Sequence, residues 1–230
     1  MIARLGALVC VVGCLACAGV PWQGSGATLD TAVKTRCYDW PGGDFSRKNR
    51  ARVSTFLQTG DRGVDVTLRD LDGAPVTIGS LLSAGKPVLI TTASVTCPVF
   101  QERHPALQKT IAAYQDRVTF ATVYQIEAHP KGPDVGPYKG QVSEHEYSDR
   151  GQANTLAART ANAREVRTVP GERLLVDDLS PGNENPFWCT WGTCANCAYL
   201  LKTDGTLAAV HEWYDPATME ASLASLVGPP

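Results

Sequence analysis

The chain has 230 residues, 23 acidic and 21 basic side chains, and a formal net charge of −2. No basic stripe or acidic tail stands out, so nothing points to nucleic acid or to an anionic membrane surface as a partner. Eight cysteines are more than a reduced cytosolic chain of this size usually carries, which favours an oxidising compartment or a metal site.

Residues 1–20 read as an export signal. Arg4 supplies the positive charge, and residues 5–12 form an apolar run too short to span a bilayer. Val12-Gly13-Cys14 resembles a bacterial lipobox, in which the cysteine is lipidated and becomes the new N-terminus. The alternative is plain secretion, with cleavage after Ala16-Cys17-Ala18. Lipidation at Cys14 leaves Cys17, Cys37, Cys97, Cys189, Cys194 and Cys197, an even set; cleavage after Ala18 leaves five. The expectation is an exported periplasmic or cell-surface lipoprotein that meets the membrane through its lipid alone.

Residues 21–60 read as a tether and N-terminal extension, with loops at Gly24-Ser25-Gly26 and Pro41-Gly42-Gly43 and a short helical piece over 47–57. Residues 61–230 read as one domain. From Val64 the sequence alternates apolar and polar residues on both sides of Asp72-Gly73, a hairpin. A helical turn closes at Leu81-Leu82. Residues 86–93, KPVLITTA, form a strand buried on both faces. A helix follows from Phe100 to Tyr114, with Leu107, Ile111 and Tyr114 on one face. Residues 117–126 form a second buried strand, 149–164 an Ala-rich helix, and 172–178 a short strand. Residues 197–213 form a hairpin turning at Asp204-Gly205, and a helix from Pro216 ends at Gly228. Strand–helix–strand, helix, then hairpin–helix is the thioredoxin order: an α/β fold with a mixed central sheet, flanking helices and an N-terminal hairpin extension.

Within that order Cys97 sits where a strand turns into a helix, with Pro98 suited to the first helical turn. Helix N–H groups and the dipole favour a thiolate there, and Ser94 and Thr96 are placed to donate hydroxyl hydrogen bonds to the sulfur. The reading is a reactive cysteine with a lowered pKa, against the bland alternative of a buried inert thiol. His129 follows the second strand at its carboxyl end and is a candidate acid–base group. Glu127 either orients His129 or is solvated. His104 reads as a helix surface residue, and His145 and His211 carry no pattern.

These residues also carry a resemblance. The hairpin and strand of residues 66–90, followed by Ser94-Val95-Thr96-Cys97-Pro98-Val99-Phe100, resemble the redoxin branch of the thioredoxin superfamily, and within it the iodothyronine deiodinase family. That family's motif has selenocysteine where Cys97 stands. VYQIEAHP, residues 123–130, is similar to the family's second motif, and residues 213–226 to its closing helix. The resemblance runs from about Val64 to Leu226. It implies a thioredoxin fold with an inserted loop, reductive removal of iodine from a phenolic ring, a thiol cosubstrate and no bound cofactor. It puts Cys97 in the nucleophile position and His129 in that of the essential histidine, with Glu127 and Tyr124 on family positions. A thioredoxin-like protein or small thiol would be the electron donor and a small, aromatic molecule the substrate.

One segment departs from the family. FWCTWGTCANCAYLL, residues 187–201, has Asn196 where thioredoxin-like folds usually place a cis-proline facing the active cysteine. Cys189, Cys194 and Cys197 admit three readings. They form structural disulfides, such as Cys189 with Cys194 or Cys37 with one of the three; or Cys194 or Cys197 is a resolving thiol for Cys97; or Cys97, Cys194 and Cys197 hold zinc or copper(I) in a non-catalytic metal-binding protein. Trp188, Trp191 and Tyr199 either wall an aromatic pocket or pack the core.

Overall fold

The computed structural model describes residues 29–31, 53–131, 137–138 and 149–230. Cys14, Cys17, Cys37 and His145 lie outside the described residues. In chain order the elements are β1 (Asp30–Thr31), β2 (Val64–Asp65), β3 (Thr67–Arg69), β4 (Pro75–Thr77), α1 (Ile78–Leu82), β5 (Val88–Ala93), α2 (Pro98–Tyr114), β6 (Thr119–Tyr124), α3 (Leu156–Ala163), β7 (Glu172–Val176), α4 (Pro186–Thr190), β8 (Ala198–Leu201), β9 (Leu207–His211) and α5 (Pro216–Val227).

Seven strands form one mixed sheet in the order β4-β3-β7-β6-β5-β8-β9, and β1 pairs with β2 beside it. β5, β6 and β7 run parallel, with Ala93 opposite Tyr124 and Tyr124 opposite Val176. β8 lies antiparallel to β5 on its other side. All six residues of β5 are buried, as a central strand covered on both faces must be. The hairpin of β3 and β4 turns at Gly73, whose φ of +87° suits glycine. One apolar cluster lies between the sheet and α1 and α4, a second under α2 and α5, and a third at the carboxyl ends of β5 and β6 around Cys97.

α2 starts at Pro98 with Cys97 as its N-cap residue. α5 starts at Pro216, its Thr218 N–H donating to the carboxyl of Asp215, and Gly228 closes it. Two expectations are corrected. Residues 53–57 are not helical: Thr55 forms a bridge with Gly192, because its backbone pairs with the segment after α4. α3 begins at Leu156 rather than at 149, where Thr155 caps the Ala158 N–H. α4 lies inside a segment that the sequence marked only by its cysteines. Among the described residues no helix is long and apolar enough to cross a membrane.

Candidate functional site

The site lies at the carboxyl end of β5 and β6, where the fold gathers loops from neighbouring parallel strands. Cys97 follows β5 and Glu127 and His129 follow β6, so the parallel pairing alone brings the two motifs together. Side chains then lock them. Ser94 Oγ and Thr96 Oγ1 donate to Glu127 Oε2 at 2.9 and 3.0 Å. In return the Ala128 N–H donates to Ser94 Oγ and the His129 N–H to Thr96 Oγ1, each at 3.0 Å. Glu127 Oε1 accepts from the Tyr124 hydroxyl and from Asn162 Nδ2. The Glu127 backbone is held at both its N–H and carbonyl by the Gln152 amide. The carboxyl group, fully buried, therefore takes four side-chain donors, from the loop after β5, the end of β6 and α3.

This overturns the expected partners of the sulfur. The two hydroxyls serve Glu127, because a buried carboxyl is the stronger acceptor. Cys97 is the one free cysteine among the described residues, and only 1% exposed. Burial pushes its thiol up from 9.0 to about 11, against the lowering pull of the Phe100 and Val99 N–H groups; Glu127 adds to the rise and Arg103 opposes it. The expected lowered pKa is thus corrected: desolvation outweighs the helix N-terminus. His129 is half-buried, its ring 5.8 Å from that of Tyr138. Tyr138 packs against Trp188 and its hydroxyl donates to the Thr193 carbonyl.

A second buried polar group supports the first. Arg159, fully buried, donates to the Asp177 carbonyl and to Asn185 Oδ1 at 2.9 and 2.7 Å. The Asp177 carboxyl accepts the Phe187 and Trp188 N–H groups, both at 2.9 Å, and so fixes the start of α4. Burial raises the Asp177 carboxyl to about 6 and lowers Arg159 to about 10. Sequence reasoning missed both residues, as it missed Asn162 and Gln152.

Of the three readings of the late cysteines, the structure favours structural disulfides, though not the Cys189–Cys194 example. Cys194 bonds to Cys197, with Cα atoms 5.6 Å apart, a separation natural for a disulfide. Cys189 is disulfide-bonded too, and so is not the partner of Cys194. Thr92 holds the pair's backbone: its N–H and Oγ1 donate to the carbonyls of Cys197 and Cys194, and its Oγ1 accepts the Cys197 N–H. Ala195, between the two, packs in the same cluster as Cys97. The sulfurs' own residues pack elsewhere, with Trp191 and Tyr199. Asn196, two residues before β8, is buried, and its carbonyl accepts the Tyr214 N–H. The metal reading with Cys97, Cys194 and Cys197 has no assembled ligand set: two of the sulfurs are spent on each other, and no group of three or more suitable donors exists among the described residues. Trp191 and Tyr199 pack edge-on at 5.1 Å within the core rather than walling a pocket.

His104 is also corrected. It is 8% exposed, stacks on Phe100 and lies 2.9 Å from the buried Glu172 carboxyl through Nε2. Glu172 also accepts the Thr122 hydroxyl at 2.7 Å.

Comparison with known proteins agrees with the geometry. The family model described as iodothyronine deiodinase matches residues 50–200. The type II iodothyronine deiodinase of Fundulus heteroclitus is 31% identical over 106 residues, 45% of this chain and 38% of the relative. The thyroxine 5-deiodinase of Sparus aurata is 26% identical over 133 residues, 56% and 45% of the two chains. The chain thus spans less than half the length of either curated relative. The fold is that of a solution structure from Bacteroides thetaiotaomicron described as a candidate protein disulfide isomerase, with a TM-score of 0.50, 14% identity, and coverage of 77% of this chain and 94% of that one. With the family model covering well over half of its length, the chain belongs to the iodothyronine deiodinase family.

Proposed function

We propose that this chain, an oxidoreductase by its family, is an exported thiol-dependent reductive dehalogenase acting on an iodinated phenol. Cys97 is its nucleophile and His129 its acid–base group. The observation that carries the reading is the Glu127 knot, which ties the Cys97 loop and the His129 backbone to one carboxyl. A thiol held near 11 needs a base, and a histidine is suited to take its proton at neutral pH. Ser94, Thr96, Tyr124 and Glu127 then act as positioning residues.

In the proposed reaction the Cys97 thiolate attacks iodine and the carbon–iodine electron pair stays on the ring carbon. That carbon takes the proton from His129, leaving a sulfenyl iodide on Cys97. A small external thiol attacks this sulfur, releases iodide and a proton, and forms a mixed disulfide. A second thiol then restores Cys97 as the free thiol. Per turnover one aryl iodide is reduced and two thiols are oxidised to a disulfide. Cys194 and Cys197 act as a staple in this scheme, since they are already joined to each other. No resident cofactor takes part. Anchoring by lipid at Cys14, with cleavage within residues 1–20, belongs to the same proposal, as does the single domain of residues 61–230.

The test is iodide release from 2,6-diiodophenol with dithiothreitol as donor. Wild-type protein should release iodide and Cys97→Ser should not. Release by Cys97→Ser at the wild-type rate would sink the reading. For the anchor, Cys14→Ser should leave the membrane fraction; unchanged fractionation and mass would leave plain secretion.

A further inference from the structure

The Glu127 knot fixes the backbone of His129 through Thr96, but not the direction of its ring. The ring meets Tyr138, with centroids 5.8 Å apart and planes inclined by 46°. Tyr138 is tied in turn to a backbone group, its hydroxyl donating to the Thr193 carbonyl at 3.1 Å. The other side of Thr193 is held from the N-terminal extension: its N–H donates to the Ser54 carbonyl at 2.9 Å. The scheme above uses neither Tyr138 nor Thr193. We infer that Tyr138 is a positioning residue for the His129 ring and that residues 54–56 act on it through Thr193 as a clamp, which deepens the dehalogenase reading and rests on its assignment of His129.

The clamp is a short antiparallel pairing. The Phe56 N–H donates to the Trp191 carbonyl at 2.9 Å, Thr55 bridges Gly192, and the Thr193 N–H closes the pair on Ser54. Val53 and Leu57 pack on the apolar cluster between the sheet and α1 and α4, and Thr55 between them is buried. Alternate residues of the extended segment thus face the core and seat it. Gly192 is the contact point. A Cβ there would stand 2.6 Å from the Ser54 carbonyl oxygen and 2.5 Å from Tyr199 Oη, so only glycine lets the two backbones approach this closely. Thr193 is itself buried, with its N–H given to Ser54 and its carbonyl given to Tyr138. A buried backbone group that shifts loses a bond it cannot replace from water. Displacing residues 54–56 therefore displaces the carbonyl that holds the phenol beside His129. The remaining support of Tyr138 is Trp188, whose N–H the Asp177 carboxyl accepts. In the scheme above His129 hands a proton to a ring carbon, and a misplacement of about 1 Å in such a step costs on the order of a hundredfold in rate.

Three variants test the linkage. Tyr138→Phe removes the hydroxyl and keeps the ring. Gly192→Ala pushes residues 54–56 away, and Phe56→Pro removes one clamp donor by a milder route if Gly192→Ala fails to fold. Each should lower kcat for iodide release from 2,6-diiodophenol by about tenfold and leave KM within about twofold. The double variant Tyr138→Phe/Phe56→Pro should be no slower than the slower single variant, because both changes break one linkage. Leu223→Ala, in the cluster under α2 and α5, should lower stability and keep kcat within about twofold of wild type, which separates positioning from a general loss of stability. A readout that needs no turnover is the His129 ring Cε1–H resonance, which should move in Tyr138→Phe and in Phe56→Pro and stay in place in Leu223→Ala. Effects that multiply in the double variant, or an unmoved His129 resonance with wild-type kcat in Tyr138→Phe, would overturn the clamp. Resonances that move as expected in a protein that releases no iodide would instead sink the dehalogenase reading and leave the clamp.

Discussion

Thr96 and Glu127 stand 31 residues apart in the chain and meet at 3.0 Å, hydroxyl to carboxyl. The same Thr96 oxygen takes the His129 N–H at 3.0 Å. One threonine hydroxyl thus couples the residue before the cysteine to the loop that carries the histidine. The contact is possible because β5 and β6 are parallel neighbours in register up to Ala93 and Tyr124, so both loops leave the sheet at the same end.

Replacing Glu127 should loosen both loops at once. Glu127→Ala leaves the Ser94, Thr96 and Tyr124 hydroxyls and the Asn162 amide without their shared acceptor in a buried site, at a cost of about 3–5 kcal/mol in unfolding free energy. Glu127→Gln keeps the volume but turns an N–H₂ group toward donors, and should cost about 1–3 kcal/mol. Urea unfolding at pH 7 measures both. A Glu127→Ala loss below about 1 kcal/mol would mean that the knot is solvated and does not hold the loops.

The Cys97 thiol should be sluggish in the resting fold. With the group pushed up to about 11, alkylation by iodoacetamide at pH 7 should run roughly a hundredfold or more below a peptide thiol of pKa about 8.5. The raised value also sets a stability window. The folded state holds the proton longer than the unfolded chain, so this contribution is complete below the unfolded value near 9 and is lost as pH rises from there to about 11. A rise of that size corresponds to roughly 2–3 kcal/mol. Tyr124, Tyr199 and Tyr214 are raised by burial as well and add losses of the same sign at higher pH. The pH 8–11 unfolding profile of Cys97→Ala, subtracted from wild type, isolates the thiol. A flat difference would show that Cys97 is solvated in the native state.

The strands and the order of elements were legible because β5 and β6 are continuous apolar runs and the turns carry Asp-Gly. The two motifs could be paired from that order alone. His104 was also readable in retrospect: Phe100, His104, Leu107, Ile111 and Tyr114 are all buried on α2 and recur at steps of four and three, so the stripe includes the histidine. Arg159 and Asp177 were not readable. Charged side chains on a helix and after a strand look solvated until the fold closes Asn185 and the start of α4 over them. The sulfur's pKa was misjudged for a related reason. The helix N-terminus is a local feature that sequence displays, whereas desolvation depends on Ala195, Phe100 and Val166, which arrive from three different elements.

Arg159 should act as the buried positive charge that opposes the rise of the Asp177 carboxyl. Arg159→Met removes the positive charge that holds Asp177 down and leaves a buried carboxylate at pH 7, at a cost of about 3–5 kcal/mol. Without Arg159 the Asp177 group rises beyond about 6, so at pH 5 it is protonated and the penalty should shrink by at least about 1 kcal/mol. Urea titrations of wild type and Arg159→Met at both pH values test this. A penalty that is the same at pH 5 and 7 would detach Arg159 from Asp177.

The disulfide separates an internal electron relay from an external one. Cys194 and Cys197 are fully buried and close a short loop, so chain entropy gives the bond only about 2 kcal/mol. Its protection should come instead from burial. Native protein in millimolar dithiothreitol should keep the bond for hours and lose it once urea opens the fold, because thiolate exchange requires access to a sulfur. The double variant Cys194→Ser/Cys197→Ser should be less stable by about 2 kcal/mol yet keep iodide release with dithiothreitol within a few-fold of wild type. Peroxide treatment of the reduced protein should re-form Cys194–Cys197 and leave Cys97 out of it. A Cys97–Cys194 or Cys97–Cys197 bond in the non-reducing peptide map, with turnover lost in the double variant, would reverse the assignment. Cys97 would then draw its electrons through the turn that carries Ala195, and the staple would be the enzyme's own reductant.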